Sequence, residues 1–185
     1  MRTGMTDLVQ TVRELSNAGT SEFIVGTSTY FSDDHIQTVL DNHRQDLQYE
    51  PMEVHPEQAV GSVVYKEFRT APNLESGTVF YLQYAGGTAV GTSLYSVDYT
   101  RGVINFTNDT RGTAFYVTAR TYDVNSAAAD IWRKKASNVA NNVDWSSDNH
   151  SIKGNQVYSS YMKQAEYFQG LAHKESITIY RGDMR

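Results

Sequence analysis

Five histidines, His35, His43, His55, His150 and His173, hold the most versatile chemistry in this chain, and they are scattered. His35 and His43 lie on one expected helix, about 12 Å apart along its axis at ~1.5 Å of rise per residue, too far to share a metal ion. With no cysteine there is neither a thiolate ligand nor a disulfide framework. Asp33-Asp34 has the look of a carboxylate pair for acid–base work, but it directly follows Ser32, where two acidic residues complement a helix N-terminus. Gly86-Gly87-Thr88-Ala89-Val90-Gly91 is loosely similar to a phosphate loop; it lacks the Gly-Lys-Ser/Thr ending and reads as a hairpin tip. No serine sits in a nucleophile-elbow sequence. Arg181-Gly182-Asp183 spells an integrin-type tripeptide, and Asn105, Asn108 and Asn149 begin glycosylation triplets, without any export signal to give them meaning. The expectation is a protein with no catalytic residues, no metal and no cofactor, and thus not an enzyme.

Composition narrows the remaining classes. The chain has 185 residues, 39% of them hydrophobic and 13 of them tyrosines, enough for one domain or a domain carrying an insertion. A formal charge of −5 argues against a dedicated nucleic-acid binder. The acidity is concentrated early: residues 1–48 hold three Lys/Arg against seven Asp/Glu. No apolar run approaches the ~18 residues that a transmembrane helix needs, so a soluble protein made in the cytoplasm is expected.

The elements follow from periodicity. Helices are expected at residues 6–17, 33–47, 126–143 and 153–172. Thr6 and Ser32 serve as N-caps, and Asn17-Ala18-Gly19 stops the first helix. Ile36, Val39, Leu40, His43 and Leu47 make one stripe on the second. On the third, Ile131, Trp132, Ala136 and Val139 mark Trp132 as an anchor in the core or between subunits. Residues 22–31 suggest a small hairpin around Gly26. Strands rich in Val, Tyr, Phe and Thr are expected at 62–69, 78–84, 94–99, 103–106 and 113–122, with Gly102 giving the positive φ of the clearest hairpin. Pro51, Pro56 and Pro72 belong at strand ends or in loops. The glycine-rich tip at 86–91 should be removable at little cost in stability. The fold class is therefore α+β: a core of about four helices with an inserted antiparallel β subdomain and an extended C-terminal tail. Residues 1–48 carry the N-terminal helices, 49–122 the β subdomain, 123–173 the C-terminal helices and 174–185 the tail.

Three stretches in this order resemble the head–tail adaptor (connector) proteins in the neck of long-tailed bacteriophages. They are residues 6–20 (TDLVQTVRELSNAGT), 30–44 (YFSDDHIQTVLDNHR) and 125–156 (NSAAADIWRKKASNVANNVDWSSDNHSIKGNQ). The hairpin at 95–106 (YSVDYTRGVINF) is similar to a unit of phage neck and tail proteins.

The resemblance implies a virion structural protein, a twelvefold homo-oligomeric ring beneath the portal protein. Its channel would pass genomic DNA without sequence-specific binding, its lower face would receive a stopper or tail-completion protein, and no membrane is involved. An acidic lumen would let DNA slide. Within the tail, Ser176–Tyr180 alternates polar residues with Ile177, Ile179 and Tyr180, so it can add a strand to a partner's sheet, with Arg181 and Arg185 making charged contacts at the rim. These five residues are the expected contacts to portal or to a neighbouring subunit. The alternative is a β-rich ligand- or carbohydrate-binding module with helical support, whose exposed tyrosines stack on sugars.

Overall fold

The computed structural model describes residues 1–20, 24–25, 28–59, 61–140, 145–147, 150–152 and 154–172. Along the chain run α1 (Thr6–Ser16), β1 (Ile24–Val25), β2 (Ser28–Thr29), α2 (Asp33–Asp41), β3 (Arg44–Pro51), β4 (Glu53–Ala59), β5 (Ser62–Arg69) and β6 (Tyr81–Tyr84). There follow β7 (Tyr95–Asp98), β8 (Val103–Phe106), β9 (Phe115–Tyr122), α3 (Val124–Ala140), β10 (Trp145–Ser147), β11 (His150–Ile152) and α4 (Gly154–Leu171). The architecture is α+β, with four α-helices and two larger antiparallel sheets, ordered β3-β9-β6 and β4-β5-β8-β7, among the described residues. β1 pairs with β2, as the small hairpin before the second helix requires.

Helix ends show how local chemistry sets the boundaries. Ser32 caps α2 by accepting from the His35 backbone N–H, with Asp33 and Asp34 in the first turn. Asn17, at φ 49°, closes α1 in the left-handed conformation that asparagine tolerates. α1 itself starts without a side-chain cap: Met5 holds the cap position and Thr6 is already helical. Asp123 caps α3 by accepting from the backbone N–H groups of Asn125 and Ser126 through Oδ1.

α2 ends at Asp41, six residues before the expected end at Leu47. Ile36, Val39 and Leu40 are buried, but His43 and Leu47 leave the stripe. From Arg44 the backbone pairs with β9 instead, Arg44 opposite Tyr122 and Leu47 opposite Ala119, and Leu47 packs on the β core. A ladder partner decided against helical spacing here. The β region thus starts at Arg44, within the stretch expected to be helical.

β4 was not among the expected strands. All seven of its residues are exposed, so it offers no alternation to read, and Pro56 lies inside it rather than at an end. The register shifts between His55 and Glu57, and β4 is the outer strand of its sheet, two settings in which proline costs no ladder bond. The other strands are trimmed: Thr78, Leu94 and Thr113 fall outside β6, β7 and β9.

Two hydrophobic clusters organise the molecule. Met5, Leu8, Val12, Phe31, Ile36 and Ile131 belong to the helical one. The other sits between the two sheets, where Phe68 meets Phe106 and Phe115 edge-on at centroid distances of 5.3 and 5.1 Å. β9 joins them: Phe115, Val117 and Ala119 point into the sheet core, whereas Tyr122 is buried among the helices. In α3, Ala127, Ala128, Ala129 and Ala136 are fully buried, letting neighbouring backbones approach closely.

The tip at residues 86–91 is more structured than its glycines suggested. Tyr84 N–H donates to Thr88 O, Val90 N–H donates to Leu82 O, and the Val90 side chain, 4% exposed, joins the sheet core. Removal of the whole tip would therefore open that core.

Candidate functional site

The densest polar constellation lies where the helices meet the sheets. Glu75, in the connection between β5 and β6, is 3% exposed. Its Oε2 accepts from the Tyr122 hydroxyl at 2.6 Å, and Oε1 accepts from Arg2 Nε at 3.2 Å. Arg120 Nη1 stands 3.6 Å from the same carboxylate. Arg2 also forks onto Asp41 with distances of 2.9 and 2.6 Å, and its Nη2 donates to the Tyr122 oxygen at 2.9 Å.

Charge balance follows from this geometry. The hydrogen bond to Asp41 holds the Arg2 guanidinium firmly protonated, against the cost of burial. Burial pushes the Asp41 carboxyl up, and the bonds from Arg2 and Gln37 outweigh it, so the group lies below its ordinary value. Burial, then the bond to Glu75, pushes the Tyr122 phenol well above its ordinary range. Every charge faces a counter-charge, an arrangement that fastens elements together. No local pattern announces it, since Arg2, Glu75 and Tyr122 are far apart along the chain and each looks ordinary alone.

A second fastening lies at the far side of the helices. Lys135 is 1% exposed, and its Nζ donates to Asn17 O at 2.7 Å, just past the end of α1. The ammonium stands 4.9 Å from the Trp132 ring centroid and 5.7 Å from that of Phe31. Placing a cation at a helix C-terminus between aromatic faces is favourable on both counts. Trp132 is half-buried, donates from Nε1 to Leu15 O at 3.2 Å and meets Tyr161 of α4 at 5.3 Å. It joins α1, α3 and α4 within one subunit. A lysine four residues after Ile131, on a face expected to be apolar, was the available signal.

The residues singled out for chemistry do not converge. His35 meets Lys134, His43 meets Asp130, and His55 is exposed on β4. Asp33 pairs with Arg13 at 2.6 Å, while Asp34 pairs with the N-terminal amine. Asn105 lies exposed on β8 and Asn108 in the exposed turn beyond it. His150 and Ser151 stand in β11, but Asn149, which starts their triplet, lies outside the described residues, as do His173 and the tail with Ile177, Ile179, Tyr180, Arg181 and Arg185. Among the described residues, no group of three or more His, Asp or Glu side chains could hold a metal ion. An open cleft of about 440 Å³ lies beside the junction, lined by His43, Arg44, Asn73, Tyr122, Asp123 and Leu171 among others. Among the described residues, no helix is long and apolar enough to cross a membrane.

Among the described residues, two surfaces expose apolar or aromatic side chains. The first is the β4–β5 ribbon. β5 pairs with β8 only at Glu67, Phe68 and Arg69, so the ribbon from Glu57 to Val64 projects past the sheet with β4 and β5 pairing only each other. Val63 on it is 43% exposed, and Val54, opposite Phe68 at its base, is 39% exposed. The second is the outer face of β3-β9-β6. Along β9, Tyr116, Thr118 and Arg120 alternate with buried residues, and Gln83 and Tyr81 lie opposite Tyr116 and Thr118. Tyr49 stacks on Tyr116 at 4.3 Å with 2° between ring planes. Its φ of 53° is unusual for a bulky residue and falls where the β3 register shifts between Leu47 and Glu50. The Tyr49 hydroxyl donates to Ala85 O at 2.6 Å, holding this bulge against the turn after β6.

No family model matches the chain, and no curated protein matches it.

Proposed function

We propose that the protein is a structural component of the phage neck, a ring-forming head–tail adaptor that docks under the portal and extends the DNA channel. The observation that carries this reading is the projecting β4–β5 ribbon. A two-stranded ribbon without a cover is marginal in water, and the exposed Val63 on it, with Val54 at its base, is suited to lie against a neighbouring subunit. The helical core and the β region are supporting parts of one scaffold, because the Arg2–Asp41–Glu75–Tyr122 network ties them to each other. In this reading the polar tail fastens the ring to portal or to the next subunit through Ile177, Ile179, Tyr180, Arg181 and Arg185. The lower face receives a stopper or tail-completion protein, and the protein resides in the virion.

The test uses Val54→Glu and Val63→Glu variants and a chain lacking residues 175–185. All three should fold with near-normal melting temperatures, because the valines are exposed and the tail lies beyond α4. The ribbon variants should lose ring assembly, and the truncated chain should lose docking to portal-bearing, DNA-filled heads. Variants that still join heads to tails at the normal rate would overturn the reading.

A second reading rests on the Tyr49–Tyr116 stack with Tyr81 beside it, an aromatic face of the kind that binds sugars. It requires a monomer whose Tyr49 and Tyr81 resonances shift on titration with oligosaccharides.

A further inference from the structure

Helix α2 is fixed to α3 by a histidine contact at each end, one to a cation and one to a carboxylate. Near the start of α2, His35 Nε2 lies 3.0 Å from Lys134 Nζ. Just past its end, His43 Nε2 lies 2.8 Å from Asp130 Oδ2. Lys134 and Asp130 are one turn apart on α3. Between the histidines, Ile36, Val39 and Leu40 are buried and form an apolar fulcrum.

Chemistry assigns the direction at each end. An ammonium has no lone pair, so Lys134 donates and His35 Nε2 accepts, which requires a neutral imidazole. Protonating His35 removes the acceptor and places two cations about one hydrogen-bond length apart. Burial, and then the charge of Lys134, hold its imidazole below the ordinary value. Protonating His43 instead sets an imidazolium against a carboxylate, which strengthens the contact.

We propose that α2 is an acid-tipped lever: as pH falls below about 6.5 its N-terminal end loosens from α3 while its C-terminal end holds. Other charged groups surround it at both ends. Around His35 these are Arg13 of α1 paired with Asp33, Asp34 paired with the N-terminal amine, and Lys135 beyond Phe31. Around His43 they are Arg133 on Asp130, the Arg44–Asp46 pair of β3, and Asp123, whose N–H donates to His43 O. The Tyr30 ring stands 6.1 Å from that of His35. The end that loosens carries the Ser32 cap and the Arg13–Asp33 pair to α1. The end that holds feeds directly into β3, so the β region keeps its seat.

The test is amide hydrogen exchange on the full chain at pH 6.5 and pH 5.5, corrected for intrinsic rates. At Ile36, whose N–H donates to Ser32 O, the opening constant should rise by up to about tenfold per pH unit. At His43, whose N–H donates to Leu40 O, protection should hold or increase. His35→Gln keeps an acceptor for Lys134 without a titrating group, and should flatten the response at Ile36. Lys134→Gln, independent of any folding defect in the first variant, should reduce the same response. Acid loosening equal at both ends, no loosening at Ile36, or a full response surviving in His35→Gln or Lys134→Gln would overturn the proposal.

Discussion

The Tyr122 hydroxyl donates to Glu75 Oε2 at 2.6 Å, and this bond ties the last residue of the β region to a buried carboxylate that Arg2 and Arg120 also reach. Because Tyr122 sits in the helical cluster while the rest of β9 lines the sheet core, the pair is the seam of the molecule.

Truncating one partner should show how much the seam contributes. Glu75→Ala leaves Arg2 and Arg120 without their shared carboxylate and should cost roughly 3–5 kcal/mol, the scale of a broken buried ion pair. Tyr122→Phe removes the hydrogen bond to Glu75 and the one from Arg2, and should cost at least about 1.5–3 kcal/mol. In chemical denaturation the double variant should cost less than the sum, since both changes remove the same bond.

Alkaline pH should loosen the same seam. The Tyr122 phenol is raised above its ordinary value of 10.0 in the folded chain, first by burial and then by Glu75. Above pH 10 the unfolded chain loses this proton while the folded chain keeps it, so stability falls as pH rises; below pH 10 the contribution is fully present. Melting temperature followed from pH 9 to pH 11 should drop, and Tyr122→Phe should drop less over the same range.

Gly102 should tolerate no side chain. It has φ 67°, and a Cβ there would stand 2.3 Å from Ala71 O and 2.6 Å from Thr70 O, both backbone atoms. Gly102→Ala should therefore cost more than the ~1–2 kcal/mol of the left-handed conformation alone. Gly87 is the control: at φ 79° with nothing within 4 Å of its Cβ position, Gly87→Ala should cost only the conformational part. Equal losses in thermal melting would contradict the close packing at Gly102.

Trp132 and Lys135 should act together at the end of α1. Trp132→Ala removes the contact to Tyr161 and the bond to Leu15 O, and should cost up to ~3–5 kcal/mol. Lys135→Ala removes the cation from Asn17 O and from both aromatic rings, and it should destabilise by a similar amount because its site is buried. Circular dichroism melts of the two single variants and the double would test the coupling, which should be less than additive.

The parts of the fold that the sequence announced are those with strong local chemistry. Ser32-Asp33-Asp34 fixed a helix start, and Asp98 to Gly102 made the β7–β8 turn, in which Gly102 N–H donates to Asp98 O. Misreadings arose where distant partners decide. Leu47 fits a helical stripe and is a strand residue because β9 lies beside it. β4 is exposed throughout and carries Pro56, so no pattern marked it. Val90, between Ala89 and Gly91, looked like part of a loose tip until Leu82 paired with it. Of the surfaces, the tyrosine surplus was visible, but the Tyr49 bulge was not, since its register shift depends on the pairing with β9.

Electron cryo-microscopy of the protein mixed with portal-bearing, DNA-filled heads tests the central proposal most directly. The account predicts a coaxial ring of twelve subunits beneath the portal, with the β4–β5 ribbon of each lying against its neighbour and the channel continuous with the portal's. Heads that emerge bare, with the protein left monomeric in solution, would contradict it.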